Sequence, residues 1–379
     1  LSPSNSAAVA RPGWAIAPDR WLLALLVFVP LAALAELLHW GALTTFVFAA
    51  LAIIPLAGTM GDSTERLAAR LGAGIGGLLN ATFGNAAELI IAVAALARGL
   101  YPVVQASLTG SILGNALLVL GMAILSGGFR RERQTFDRSA AGVGSTLLVL
   151  AAIGLLVPAA FHWTAEIARA SGTVDRGEEI DLEHGLSLAI AIVLFTVYVL
   201  SLLFSLRTHR HLYRGPASPD THEAPRGGVR GAVVTLIVST VLVAWMSEIL
   251  VGVVEEASHA LGLTPIFVGV VVVAVVGNAA EHSTAVLMAV RNKMDLAMNI
   301  AIGSSIQIAL FVAPLLVFLS YGVGPQPMDL RFSLFEVLAV GMAVVVVHMV
   351  AQDGESNWLE GALLVAVYLI LAIAFYFLP

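Results

Sequence analysis

The sequence predicts an all-α polytopic membrane protein, and three observations carry that prediction. Of 379 residues, 59% are hydrophobic and 12% are charged, against about 45–50% and about 25% in soluble globular chains. The mean hydropathy is +0.93, and apolar runs of spanning length recur along the whole chain. The weak alternating ten-residue segments of a transmembrane β-barrel are missing. The same composition excludes an intrinsically disordered chain. With a formal charge of −6 and no cysteine, it also excludes a nucleic-acid binder and a disulfide scaffold.

Eleven runs are long enough to cross about 30 Å of hydrocarbon. They cover 21–38, 41–60, 75–98, 101–126, 139–161, 185–206, 230–254, 264–290, 296–322, 332–351 and 357–378. The first run is a span and not a cleavable signal, because no small-residue cleavage site follows it and it leads straight into more membrane. The second ends at Asp62 and Glu65, and the seventh at Glu255 and Glu256. Between the fifth and sixth lies an acidic connection over 162–184, with Glu166, Asp175, Glu178, Glu179, Asp181 and Glu183. It reads as a solvated loop, with attraction of cations to the outer face as the competing reading. Between the sixth and seventh, 207–229 holds His209, His211, His222, Pro216, Pro219 and Pro225. That stretch reads as a flexible seam. Trp21, Trp40, Tyr101, Trp163 and Trp358 stand at the run ends, as interfacial anchors do.

Charge sets the orientation. With the N-terminus on one side, Arg11, Arg20, Arg66, Arg70, Arg130, Arg131, Arg133, Arg138, Arg207, Arg210, Arg214, Arg226, Arg230, Arg291 and Lys293 fall on that side. Only Arg98, Arg169, Arg176 and Arg331 fall on the other. The positive-inside rule then places the N-terminus in the cytoplasm and the C-terminus outside.

An internal repeat points to function. GNAAE occurs at Gly84–Glu88 and again at Gly277–Glu281, 193 residues later. Gly110–Ser111 and Gly303–Ser304 have the same offset, and Leu56 and Gly58 match Leu250 and Gly252 at an offset of 194. The copies lie in spans 3 and 8. Five spans separate them, so equivalent helices run in opposite directions. That is the inverted-topology repeat of secondary transporters, in which paired motifs meet near the midplane. The predicted organisation is an extra N-terminal segment and helix (1–40), a five-helix repeat (41–206), a link (207–229) and a second five-helix repeat (230–379).

Glu88 and Glu281 stand deep inside their spans. A charge at the bilayer centre costs about 2.5–3.5 kcal/mol even on translocon scales. Two carboxylates at symmetry-related positions therefore face each other or a polar cavity. Together they offer two negative charges and four oxygens, which suits a hard divalent cation whose shell is completed by other oxygens. Asn85 and Asn278 lie three residues before each glutamate, on the same helical face. Ser111, Ser304, Ser305, Asn115 and Gln307 lie on the partner spans. With no cysteine ligand and no histidine pair in the core, a thiophilic metal site is disfavoured. The same carboxylates accept protons when the metal leaves, as a coupled pair. Cation and proton are then alternative occupants of one site, and exposing it to each side in turn gives antiport. Glu248, deeper in span 7, is a candidate relay or structural pair, with Asp62, Glu65 and Glu255 as further pathway candidates. His282 follows Glu281 where the first copy has Leu89.

Beyond these pairs, longer motifs run in a fixed order: NATFGNAAELI at Asn80–Ile90, GSILGNALLVLG at Gly110–Gly121, VGNAAEH at Val276–His282, NKMDLA at Asn292–Ala297, GSSIQIALFVAP at Gly303–Pro314 and DGESNWLEG at Asp353–Gly361. In this series the chain resembles the calcium/proton exchanger family, within the cation/calcium exchanger superfamily. The resemblance implies an 11-span inverted repeat in which Glu88 and Glu281 coordinate Ca2+ as transported substrate and exchange it for protons. It implies neighbouring oxygens from Asn85, Asn278, Ser111, Ser304 and Gln307, no bound cofactor, and residence in a plasma membrane of prokaryotic type, with homo-oligomerisation left open. The family often has a long acidic stretch between its halves. The link here is short, so regulation by such a stretch is not expected; separately, a long N-terminal inhibitory domain is not expected.

Three other functions compete. Sodium-driven calcium exchange uses the same fold, but Ala86, Ala87, Ala279 and Ala280 provide no extra sodium ligands. Manganese/proton exchange stays open, since Mn2+ also takes oxygen ligands. A cation channel needs a continuous pore and usually oligomeric ligand rings, whereas this chain holds a complete pair of half-sites. No nucleophile–base set stands beside the glutamates, which argues for a transporter and against an enzyme.

Overall fold

The computed structural model describes residues 23–173, 175–209 and 228–378. Arg11, Arg20 and Trp21, and the link residues Arg210, His211, Arg214, Pro216, Pro219, His222, Pro225 and Arg226, lie outside the described residues. Apolar helices dominate: α1 (Leu25–Leu37), α2 (Ala42–Leu71), α3 (Ile75–Phe83), α4 (Ala86–Ala97), α5 (Tyr101–Gly128), α6 (Arg138–Ala170), α7 (Arg176–Thr208), α8 (Val229–Gly252), α9 (Val254–Leu261), α10 (Pro265–Gly277), α11 (Ala279–Val290), α12 (Met294–Val323), α13 (Leu334–Ala351) and α14 (Trp358–Phe377). Among the described residues, eight helices are long and apolar enough to cross a membrane, or ten if each bent pair counts as one span. The fold is therefore a polytopic all-α membrane fold.

Local sequence explains where helices begin. Asp137 accepts the Ala140 N–H at 2.8 Å and starts α6. Asp175 with Glu178, and Ser333 with Glu336, form capping boxes at α7 and α13. Thr264 caps α10 ahead of Pro265, and Asn357 caps α14. One expectation changes here. The acidic stretch 162–184 is not a loop, because α6 runs to Ala170 and α7 starts at Arg176, so most of its acids ride on helical turns. Polar composition hid helices that extend beyond the apolar run and end on good caps.

The second and third runs, 41–60 and 75–98, are joined almost without a loop, since helical backbone continues over Ala42–Phe83. A methyl on Gly76 would lie 2.2 Å from the Ala68 carbonyl oxygen, whereas residues eight apart in a straight helix are about 12 Å apart. The chain therefore turns back on itself between α2 and α3, and only glycine permits that contact.

Packing separates two kinds of surface. Outward, α8 exposes Val234, Ile237, Val238, Val241 and Trp245 at helical spacing, an apolar stripe suited to lipid. Inward, small residues bring backbones together. Gly121 and Gly361 meet where α5 crosses α14, and a methyl on Gly361 would lie 2.3 Å from the Leu125 nitrogen. One end of the bundle joins Arg133 to Glu355 at 3.0 Å and pairs the two-residue strands β1 (Gln134–Thr135) and β2 (Glu355–Ser356). There too Arg131 donates to the Val290 carbonyl at 3.0 Å, capping the C-terminal end of α11. The opposite end joins Arg98 to Glu248, Tyr101 to Gln326 and Arg331 to Glu183.

Candidate cation site

Both copies of the repeated motif interrupt a helix. Between α3 and α4 the chain bends by 44°. Asn85 there has φ −104° and ψ 27°, and Asn278, between α10 and α11, has φ −93° and ψ 6°. These nearly identical dihedrals lie in the bridge region, which ends the helical ladder and opens a new N-terminus one residue later. Glu88 and Glu281 each fall in the first turn of the restarted helix, where the helix dipole favours negative charge. The sequence thus places a carboxylate at a fresh helix N-terminus twice.

The bundle brings the two breaks together. Gly110 of α5 packs directly on α10, where a methyl would sit 2.0 Å from the Val270 carbonyl oxygen, and Gly269 faces Ala106. This crossing sets the polar residues of α5 against Asn278, whose Nδ2 donates to Ser111 Oγ at 3.0 Å and whose Oδ1 accepts from Asn115 Nδ2 at 2.9 Å. On the other side Asn85 Nδ2 donates to Gln307 Oε1. Ser304 hydrogen-bonds Glu281, and Glu88 and Glu281 lie within electrostatic reach of each other. Glu88 packs against Gly277, with 3.3 Å between its Cγ and the position a Cβ would take. Ser305 turns away, donating to the Ala301 and Ile112 carbonyls, and ties α12 to α5.

The acceptors left over define the chemistry. Asn85 Oδ1, Glu88 Oε2, Asn115 Oδ1 and Glu281 Oε2 are buried with no hydrogen-bond partner. Buried oxygens are rarely left so, since an unmet acceptor costs about 1–3 kcal/mol and a charged one more. All four are hard oxygen donors, the ligand type that suits Ca2+. A cavity of about 10 Å³ lined by Glu88, Ser107, Ser111 and Ala274 adjoins the first of these carboxylates, about the volume that holds one water. The amide nitrogens of Asn85, Asn115 and Asn278 are spent on other side chains or backbone, so Gln307, Ser111 and Asn278 hold the carbonyl-bearing groups in place. His282 Nε2 is also buried without a partner.

The two half-sites are packed differently. Around Glu88, residues Ala86, Ala87, Ile91 and Ala92 are buried, whereas Ser283, Thr284 and Leu287 beyond Glu281 are exposed. On α5 Ala106, Gly110 and Gly114 are buried, while their equivalents on α12, Asn299, Gly303 and Gln307, are half-buried. The site therefore opens along α11 and α12, toward the end that holds β1 and β2.

The remaining candidates lie outside this cluster. Glu248 is about half exposed and bonds Arg98 at 3.0 Å, near the end of α8 and not deep within it. Asp62 and Glu65 are exposed near the end of α2, and Glu255 is exposed on α9. Sequence reasoning passed over Glu336, which is buried and bonds Thr109 Oγ1 at 3.1 Å. The Ser333-x-x-Glu336 spacing was the available signal. It also passed over the group formed by His162, Glu179 and Glu183, whose ligand atoms lie within 4.8 Å of one another. Arg169 holds Glu179 at 2.7 Å and Arg331 stands 3.7 Å from Glu183. Only the register of α6 against α7 brings these residues together. A cavity of about 610 Å³ beside His162, Arg331 and Glu336 shares no residue with the glutamate site.

Comparison with known proteins agrees with this arrangement. The sodium/calcium exchanger protein family matches residues 41–207 and 231–377. A Ca(2+)/H(+) antiporter of Synechocystis is 47% identical over 374 residues, covering 94% of this chain and 97% of that protein. The Ca(2+)/H(+) antiporter ChaA of Bacillus subtilis is 43% identical, covering 92% and 97%. Among solved structures, native YfkE superposes with a TM-score of 0.79 at 40% identity, covering 94% of this chain and 100% of that one. The H+/Ca2+ exchanger CAX, at 15% identity and a TM-score of 0.64, shares the fold. With two broken helices bringing paired glutamates together in a polytopic bundle, and relatives that match it nearly end to end, the chain belongs to the sodium/calcium exchanger protein family, in its calcium/proton antiporter branch.

Proposed function

We propose that the chain is a secondary transporter that exchanges cytoplasmic Ca2+ for external protons by alternating access at Glu88 and Glu281. The observation that carries this reading is the set of four buried, partnerless oxygens: Asn85 Oδ1, Glu88 Oε2 and Glu281 Oε2 at the helix breaks and Asn115 Oδ1 on α5. Two carboxylates so placed need positive charge. Ca2+ supplies it, with amide oxygens completing part of a shell of 6–8. When Ca2+ departs, protons on the same carboxylates replace it, because two bare carboxylates in a water-poor site repel each other. Each occupant excludes the other, so alternating exposure exchanges them without a second site.

The organisation that goes with this mechanism is eleven spans, one extra helix followed by two inverted five-helix repeats. In it, 1–40 holds the extra segment, 41–206 and 230–379 hold the repeats and 207–229 links them. The N-terminus lies in the cytoplasm and the C-terminus outside, supported by the 15-to-4 partition of Arg and Lys. The end holding β1 and β2 is then cytoplasmic. Exposed Ser283 and Thr284 line the route to it, so this conformation faces inward. Glu88, Glu281, Asn85 and Asn115 bind the cation, while Asn278, Ser111, Ser304 and Gln307 position them. The Arg98–Glu248 pair closes the outer end.

The test is flux into proteoliposomes under imposed gradients. Ca2+ uptake driven by a proton gradient, with no effect of Na+, is expected. Uptake that follows a Na+ gradient and ignores protons overturns the reading, and Mn2+ run in parallel measures selectivity. Glu88→Gln and Glu281→Gln each abolish exchange and weaken Ca2+ binding by about 100-fold or more, since each removes a charged ligand. Normal transport by both variants refutes the site.

A further inference from the structure

The repeat makes a comparison possible within one chain. Gly110 and Gly303 are equivalent, 193 residues apart, and so are Gly269 and Gly76. Residue 77, the equivalent of Val270, is again glycine. Each half can therefore make the same crossing: Gly110 of α5 against Gly269–Val270 of α10, and Gly303 of α12 against Gly76–Gly77 of α3. In this structure only the first is made. A methyl on Gly110 would lie 2.0 Å from the Val270 carbonyl oxygen and 2.6 Å from its Cα, whereas a methyl on Gly303 would meet nothing within 4 Å. The faces agree, since Ala106, Gly110 and Gly114 are buried and Asn299, Gly303 and Gln307 are half-buried. Both positions are glycine and the unmade crossing has glycine on both helices, but here the Ala68 carbonyl covers Gly76 and the Leu206 side chain covers Gly77, with methyl distances of 2.2 and 2.4 Å.

We infer that Gly110 and Gly303 are the two alternating seals of the transporter: Gly110 closes the outer route now, and Gly303 closes the inner route when the protein faces outward, by taking the place that Ala68 and Leu206 now hold on the backbone at Gly76–Gly77. This rests on the proposed exchange function. Gly303 is thus a positioning residue that touches no ion. Its lack of a Cβ has no use in the inward-facing packing and is needed only in the other state. Closing this crossing buries Asn299 and Gln307 against α3. Gln307 already holds Asn85, so the closure of the gate and the geometry of the site share one side chain.

The chain has no cysteine, so a single introduced cysteine is a clean reporter. Thr284 is exposed on the open route and bonds only a carbonyl of its own helix. Thr284→Cys in reconstituted vesicles is labelled with a membrane-impermeant maleimide applied from the cytoplasmic side, with and without a proton gradient. In the otherwise unchanged chain, conditions that favour the outward state slow labelling. Adding Gly303→Leu keeps labelling fast in every condition and slows exchange by about tenfold or more, while Ca2+ binding to the detergent-purified protein is retained. Because a side chain at Gly303 has open space here, the variant folds in the inward state. Gly110→Ala does the reverse and slows labelling.

A second measurement reads the closed state directly. Gly77→Cys with Gly303→Cys forms a disulfide under mild oxidation, which needs Cα atoms within about 7 Å, and stops exchange until reduced. Wild-type exchange and wild-type labelling in the Gly303→Leu protein overturn the inference, as does failure of the double-cysteine protein to cross-link while it transports. If instead the unsubstituted protein shows no Ca2+-driven proton flux, the function reading falls, while the cross-link and labelling still report on the seal.

Discussion

Replacing Gly277 by alanine places a methyl group against the Glu88 side chain, and the consequence can be worked through from distances. The new Cβ would stand 3.3 Å from Glu88 Cγ, 3.6 Å from Cδ and 3.6 Å from Oε1. Ordinary carbon contacts optimise at about 3.5–4.0 Å, so Glu88 must withdraw by a few tenths of an ångström. Backbone retreat is blocked, because α10 is held on α5 by the 2.0 Å clearance at Gly110. The movement therefore falls on the Glu88 torsions, at about 0.5–1.5 kcal/mol for a side chain pushed off its rotamer. That corresponds to roughly 2- to 12-fold weaker Ca2+ binding. The loss stays moderate because calcium accepts oxygens over about 2.3–2.6 Å in a flexible shell. The assay is calcium titration of the purified protein, with the half-saturating Ca2+ of proton-coupled flux as a parallel readout. Unchanged affinity would show that Glu88 does not hold this position when the ion is bound. A loss as complete as that of Glu88→Gln would show that Gly277 acts through folding and not through the carboxylate.

Two further outcomes follow from the same geometry. Arg98→Ala or Glu248→Gln removes the outer ion pair, whose side chains are 44% and 54% exposed. Thermal stability in detergent should barely change, since exposed pairs contribute about 0–1 kcal/mol. External access, read by impermeant labelling from outside, should rise; a large drop in melting temperature with no change in access would contradict the latch. Gly361→Ala drives a methyl to 2.3 Å from the Leu125 nitrogen at the α5–α14 crossing. It should destabilise the fold by about 1–3 kcal/mol, seen as early thermal aggregation, without altering the Ca2+ affinity of the folded fraction.

Much of the site was legible in the sequence because a bilayer narrows what a residue can mean. Glu88 and Glu281 stand out as charges in apolar runs, and the 193-residue repeat pairs them. Helix existence was equally legible, since twenty apolar residues leave the backbone few alternatives. Boundaries were less so: α6 and α7 run through the acidic stretch, where capping by Asp175 and Glu178 outweighs polar composition. Which of the predicted oxygens remain free was not legible, because Asn85 and Asn278 have the same spacing and the same dihedrals. Only packing decides that Asn278 has its oxygen taken by Asn115 while Asn85 keeps its oxygen open.

By itself, then, the sequence determined that the chain crosses a membrane and that one motif, with its glutamate, recurs 193 residues later. Those are properties of periodicity and of the cost of charge in hydrocarbon, which local composition encodes. Tertiary structure alone decided the asymmetry. Gly110 is pressed against Val270 while Gly303 meets nothing, although the two halves carry the same motif. A repeated motif specifies two equivalent crossings, and only the packing of the whole bundle decides which of them is made.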